Sequence, residues 1–286
     1  MQTAIAISAF KATNRVPAQP RPQLRDVSRD APGCDRCSLR TLCLPAGLTD
    51  EEVKQLHDFV SDRRRVKRGE ILWQSGDPLD TLFAIRVGFL KSFVITRDGQ
   101  IQVIRFQMSG EIIGMDAIAT GRHNSTVVAL EDTEVCAIPF RDPDRLMERV
   151  PGLRRQLFRI MSEEIVSKQE SMALLGTMRA EQRLATFLLR LSSLYKQRGY
   201  SATEFVLRMT REELGNYLGL KLETVSRLLS KLQKEGLIRV ESKSVKLLDV
   251  AALGLLEDVR RWTPSSGDWG TGTVVMDPDF RNQRAA

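Results

Sequence analysis

Between about Arg65 and Pro139 the chain repeats one pattern, a short β-like run followed by a turn marked by glycine or aspartate. The runs are Ile71-Leu72-Trp73, Leu82-Phe83-Ala84-Ile85, Leu90-Lys91-Ser92-Phe93-Val94-Ile95, Val103-Ile104-Arg105-Phe106 and Thr126-Val127-Val128-Ala129-Leu130. The turns fall at Gly69, Gly76-Asp77-Pro78, Val87-Gly88, Asp98-Gly99, Gly110 and Gly121. Many short strands at regular spacing predict an antiparallel sandwich or jelly-roll barrel, and Asp98-Gly99 predicts a type I′ hairpin turn. After Pro139 the period becomes helical, so the fold class is α+β: an N-terminal β jelly-roll, a long helix, and a C-terminal winged helix-turn-helix.

The long helix is predicted from Pro151-Gly152, which suits a helix start, to about Met178. Along it Phe158, Met161, Ile165, Lys168, Met172 and Leu175 follow alternating spacings of three and four, the seam of a coiled coil. A seam wants a partner helix, and a parallel homodimer is the expected partner. Lys168 is the one charge in the stripe. Two facing copies would repel, or the ammonium would snorkel to solvent.

Further on, Thr210-Arg211-Glu212-Glu213 spells a capping box for a helix over Arg211 to Leu218. Gly219 makes a tight turn, and a second helix runs from about Leu222 to Glu235. Two β-like runs behind Gly236 read as a wing. On the second helix Val225, Leu228, Leu229 and Leu232 form the apolar face. Glu223, Ser226 and Arg227 lie largely opposite and have the chemistry to read bases in a major groove, an arginine pairing guanine bidentately and a glutamate accepting from cytosine. Lys221, Ser230 and Lys231 are placed for phosphates. A formal net charge of +7 agrees with an acidic partner.

The chain has four cysteines. Three form Cys34-x2-Cys37-x5-Cys43, and the fourth, Cys136, lies in a strand-like run. With no apolar run long enough for a membrane span and no secretory signal, a reducing cytoplasm is expected, where such thiols are metal ligands rather than disulfides. Four thiolates complete an iron–sulfur centre; a closed zinc site or a metal-free redox switch are the alternatives. Arg36 and Arg40 are expected to favour thiolate, and Leu42 to shield the site beside Cys43.

These residues resemble the CRP/FNR superfamily of bacterial transcription regulators, and within it the FNR branch of iron–sulfur oxygen sensors. The likeness runs from about Cys34 to Leu248, carried by the four cysteines, by Gly110-Glu111-Ile112-Ile113-Gly114-Met115-Asp116-Ala117-Ile118 and by Glu223-Thr224-Val225-Ser226-Arg227. It implies a [4Fe–4S] cluster on Cys34, Cys37, Cys43 and Cys136. The intact cluster would favour a dimer bound to palindromic TTGAT-N4-ATCAA sites in double-stranded DNA at low oxygen. It also implies a contact with RNA polymerase through exposed barrel loops such as Thr96 to Gln100. Where cyclic-AMP-binding members carry an Arg-Ser pair, this chain reads His123-Asn124-Ser125-Thr126, so no cyclic nucleotide is expected. Lys168 stands where the FNR branch typically has an acid.

The expected organisation is a mobile leader over 1–33, a cluster loop and sensor jelly-roll over 34–140, a dimerisation helix over 141–178, a winged helix-turn-helix over 179–250 and a tail over 251–286. The function expected is that of a global, oxygen-responsive transcription regulator, not an enzyme. A family member that binds DNA constitutively, its cysteines merely structural, is one alternative, and a cupin-type metalloenzyme is the competing class. It would need more ligands than His57 and His123, the chain's two histidines.

Overall fold

The computed structural model describes residues 25–27, 33–60 and 62–256. The remainder of the expected leader, and the tail beyond 256 with Trp262 and Trp269, lie outside the described residues. Strand β1 (Arg25–Val27) is followed by a single 3₁₀ turn at Cys34–Arg36 and helix α1 (Asp50–Phe59). The barrel strands are β2 (Asp62–Val66), β3 (Ile71–Trp73), β4 (Thr81–Val87), β5 (Phe89–Ile95), β6 (Ile101–Met108), β7 (Ile112–Ile113), β8 (Thr126–Ala129) and β9 (Thr133–Pro139). Then come α2 (Pro143–Arg149), α3 (Pro151–Thr177), α4 (Ala180–Gln197), β10 (Glu204–Val206), α5 (Arg211–Leu218), α6 (Leu222–Lys234), β11 (Ile238–Glu241), β12 (Ser244–Leu247) and α7 (Val250–Leu256).

The N-terminal body is an antiparallel β sandwich. One sheet has the order β1-β2-β9-β4-β7 and the other β3-β8-β5-β6. Their inner faces bury Leu72, Trp73, Phe83, Ile85, Leu90, Val127 and Val135 as one core. A second core lies outside the first sheet, where Leu56 of α1 packs with Leu82, Ile138 and Phe140 and with Leu153 and Leu157 of α3.

Four local expectations are corrected. Residues 25–27, placed in a mobile leader, instead pair with Arg63–Arg65 as an edge strand. Asp98-Gly99 does not form a type I′ turn, which needs positive φ at both residues. Only Gly99 is left-handed (φ 83°), and the Gly99 amide bonds to the Thr96 carbonyl while the Thr96 amide bonds to the Gln100 carbonyl. That is the longer loop built from a type I turn and a left-handed glycine, with Asp98 accepting from the Thr96 hydroxyl. The tail expected from residue 251 begins with α7, whose Leu253 is fully buried. Its start is set by Asp249, which accepts from the Ala252 amide at 2.8 Å. Finally, the wing has a third strand, β10, which pairs with β12.

The C-terminal body packs against the barrel. Phe89 and Met108 of the sandwich share a core with Leu184, Leu188, Leu214, Leu229 and Leu253. Tyr217 of α5 lies against Phe106 of β6 and Phe187 of α4, with ring centroids 5.2 and 5.8 Å away. Around this apolar centre Lys91 bonds Glu213 at 2.5 Å. Asn216 accepts from the Val103 amide at 2.5 Å and donates to the Ile101 carbonyl at 2.6 Å. Those are the two groups a neighbouring strand would engage, so one side-chain amide covers part of the outer edge of β6.

A thiol cluster and a reading helix

All four cysteines line one small cavity, with Leu39, Leu44, Leu56, Val60, Ala84 and Ile138 as its apolar wall. Cys136 comes from the centre of the first sheet, between Arg63 on β2 and Ala84 on β4. The other three come from the turn-rich segment before α1, pinned there because Leu44 and Leu48 are buried in the core of α1 and α3. Among the described residues no three His, Cys, Asp or Glu side chains converge on one point as around a single ion.

The electrostatics differ from the sequence expectation. Burial, reinforced by the neighbouring Cys136 and Cys37, pushes the Cys34 thiol up to about 11. Burial pushes Cys43 up to about 12 and raises Cys136 as well. Arg36 and Arg40 do not reverse this, because Arg36 pairs with Asp35 at 3.6 Å and Arg40 with Asp50 at 2.5 Å. The cations that oppose the rise are Arg63, acting on Cys34 and Cys136, and Arg86, acting on Cys136. Both come from strands, which sequence spacing could not place beside the loop. A thiophilic metal would have to displace these protons, so its uptake strengthens with rising pH.

Leu42 is absent from the cavity wall. It sits on the other side of the loop, its Cβ 3.1 Å from where a Cβ on Gly110 would stand, and lines a separate cavity of about 450 Å³ among β6, α3 and α4. Consecutive residues on an irregular turn point to different sides. Leu39 and Leu44 wall the thiols instead.

On α3, Phe158, Ile165 and Met172 are 65, 58 and 73 % exposed, with Met161 and Leu175 also exposed. The stripe is therefore an uncovered apolar face in the single chain. Lys168 differs from its neighbours. Its ammonium lies 3.5 Å from Glu164 and lines the 450 Å³ cavity. Its side chain is still 45 % exposed, and partial desolvation, with Arg105 and Arg190 nearby, brings it down to about 8.

The reading pair forms as the capping box requires. Thr210 accepts from the Glu213 amide and Glu213 from the Thr210 amide, and Gly219 (φ 64°) turns the chain into α6. Val225, Leu229 and Leu232 are buried, while Lys221, Glu223, Arg227, Ser230 and Lys231 face solvent. Arg227 makes a long bond, 3.4 Å, to its own helix at the Glu223 carbonyl. Ser226 is half-buried and accepts from Arg211 at 3.3 Å. Ser230 donates to the Ser226 carbonyl. Lys231 is held by Glu181 at 2.7 Å and Glu235 at 3.7 Å, so a phosphate would have to compete with two carboxylates. Arg211, first in α5 directly after the N-cap Thr210, reaches the reading helix through that bond to Ser226.

Comparison with known proteins agrees with this architecture. A model of the cyclic nucleotide-binding domain matches residues 63–150, and one of the Crp-like helix-turn-helix domain matches residues 182–256. The chain is 48 % identical to the transcriptional regulatory protein btr of Bordetella pertussis, over 79 % of this chain and 94 % of that protein. It is 46 % identical to electron transport regulator A of Shewanella oneidensis over 78 % and 89 %. Against the fumarate and nitrate reduction regulatory protein of Salmonella typhimurium the figure is 43 %, over the same shares. Among solved structures, FixK2 from Bradyrhizobium japonicum aligns with a TM-score of 0.61 at 26 % identity, covering 68 % of this chain and 96 % of that one.

Proposed function

Because the chain belongs to the FNR branch of the CRP/FNR family of transcription regulators, we propose that it is an oxygen-responsive global regulator rather than an enzyme. It holds a [4Fe–4S] cluster on Cys34, Cys37, Cys43 and Cys136 and binds DNA as a homodimer. One observation carries this reading. Four thiols from two distant parts of the sequence line one apolar cavity, the donor set that iron–sulfur centres use. The five-residue gap between Cys37 and Cys43 is longer than the two to four residues usual in a zinc loop.

The cluster, when bound, would supply the oxygen-reactive chemistry. The chain's own residues do the rest. Leu39, Leu44, Leu56 and Ile138 exclude water, and Arg63 and Arg86 offset negative charge on the thiolates. The stripe Phe158, Met161, Ile165, Met172 and Leu175 meets a second copy, which turns two α6 helices toward successive major grooves. Glu223, Ser226 and Arg227 read bases of a TTGAT-N4-ATCAA-like site. Lys221 and Ser230, with Lys231 once freed from Glu181, take phosphates. The Thr96–Gln100 loop is offered to RNA polymerase. The His123–Thr126 stretch takes no cyclic nucleotide. It has no arginine to neutralise a phosphodiester, and Asn124 is bound to Asp116 through both its backbone and side-chain amides. No helix among the described residues is long and apolar enough to cross a membrane, and the cytoplasm is the proposed location.

Iron and acid-labile sulfide, measured on protein purified without oxygen, test the proposal. About four of each per chain are expected. Stoichiometric zinc without sulfide would overturn the cluster and leave the DNA-binding assignment in place.

A further inference from the structure

Glu52 stands where two helices begin. One carboxylate oxygen accepts from the Thr49 amide at 3.0 Å and the Thr49 hydroxyl at 3.1 Å, closing the capping box of α1. The other accepts from the Gly152 amide at 2.6 Å, in the first turn of α3. Each helix start carries unpaired N–H groups and a partial positive charge, so a single anion draws the two ends together. The Thr49 and Gly152 amides accordingly hold its carboxyl below the usual carboxylate range.

Glycine at 152 is what permits the approach. A Cβ there would stand 2.6 and 2.8 Å from the two Glu52 oxygens and 2.8 Å from Leu48. One turn along α3, buried Gln156 reaches the Cys43 carbonyl at 3.5 Å. Leu44 and Leu48 of the thiol segment share a core with Val150, Leu153 and Leu157, and Cys34, Cys43 and Cys136 pack against that same core. The thiol segment therefore packs on the beginning of α3, from Val150 to Ile160, and borders the cavity beyond it through Thr41 and Leu42, while the exposed apolar stripe starts at Phe158.

We infer that Glu52 and Gly152 form a positioning joint that transmits movement of the Cys43 segment to the start of the dimer-forming helix. The inference rests on the cluster-dependent dimer proposed above. Packed helices shift as units, so a segment reshaped around its thiols moves α3 through this shared cap. Glu52→Gln removes the charge and Gly152→Ala wedges the joint, while neither touches a thiol or the stripe.

The test is the dimer dissociation constant from analytical ultracentrifugation, for protein purified without oxygen and again after chelation of its iron. Iron and sulfide are assayed on every sample. Wild type should dimerise more tightly when loaded. In Glu52→Gln and Gly152→Ala the stripped-to-loaded ratio of dissociation constants should fall by about tenfold, the scale of a typical coupling between sites. Thr49→Ala, which weakens α1 but spares the bond from the Gly152 amide to Glu52, should keep the wild-type ratio. If Glu52→Gln does not load, Gly152→Ala supplies the reading. A ratio of one in wild type overturns the cluster-dependent dimer and the joint with it. A wild-type ratio above one that persists in the loaded variants overturns the joint alone, as does an equal loss in Thr49→Ala.

Discussion

Arg227 and Arg183 show how one side chain serves two ends. Arg227 is exposed and, among the described residues, held only by a long bond to its own helix, so its guanidinium can turn to a guanine edge at little cost. Arg227→Ala is expected to lose roughly 1–3 kcal/mol of discrimination at a single base pair, read by competition between the cognate site and one-base variants. An equal loss on scrambled DNA would make it a phosphate contact. Arg183 is already committed. It donates to the Leu175 carbonyl at 2.8 Å, the Met178 carbonyl at 3.0 Å and the Leu218 carbonyl at 3.0 Å. It thereby ties the end of α3 to the end of α5, where orphan carbonyls favour a cation. Arg183→Ala should lower unfolding stability by about 1.5–3 kcal/mol in urea titrations. Arg183→Lys should restore only part, lacking the planar fork. The cysteine spacing was legible at this scale because metal ligands recur at fixed offsets. The protonation of those cysteines was not, since burial and the reach of Arg63 and Arg86 come from strands remote in sequence.

Among the described elements, α3 carries five exposed large apolar side chains, Phe158, Met161, Ile165, Met172 and Leu175, and its alternation of threes and fours was readable directly. Ile165 lies mid-stripe and is more than half exposed. Ile165→Glu should convert dimers of the loaded protein to monomers in sedimentation. Each copy gives up about 1.5–3 kcal/mol of side-chain burial and gains a like charge facing its twin. A variant that stays dimeric would place the interface elsewhere. Lys168 was harder to place. Its spacing puts it on the seam, but its long stem lets the ammonium turn to Glu164 on the same helix. The cap at Thr210 was visible as a motif. The cap at Asp249 was passed over because the short, small-residue run behind it carries little helical periodicity. The Asp98-Gly99 turn failed for the opposite reason. The dipeptide fits two loop lengths, and the strand register around it decides between them.

At the scale of the whole molecule, the reading pair is fastened to the barrel by Lys91, Asn216 and Tyr217, residues that no motif connects. Burial alone would raise the Glu213 carboxyl. The Lys91 ammonium and the Thr210 amide outweigh it and hold the carboxyl below its ordinary value of 4.5. A carboxyl depressed in the folded state contributes stability above about pH 4.5, and that contribution is lost as pH falls through the folded value. Lys91→Met should therefore lower stability at pH 7 and flatten its decline toward pH 4 in urea melts. A decline as steep as in wild type would remove Lys91 as the cause. By itself the sequence determined the strand-rich body, the long helix, the capped reading pair and the identity of the four thiols. Each is written in local periodicity, caps or ligand spacing, which act over a few residues. Only the tertiary structure decided which side of the loop faces the thiols, which arginines oppose their burial, and how Glu52 joins two helix starts. It also decided that the reading pair leans on the barrel. Such contacts join residues tens to more than a hundred positions apart, and their partners are set by how the layers pack.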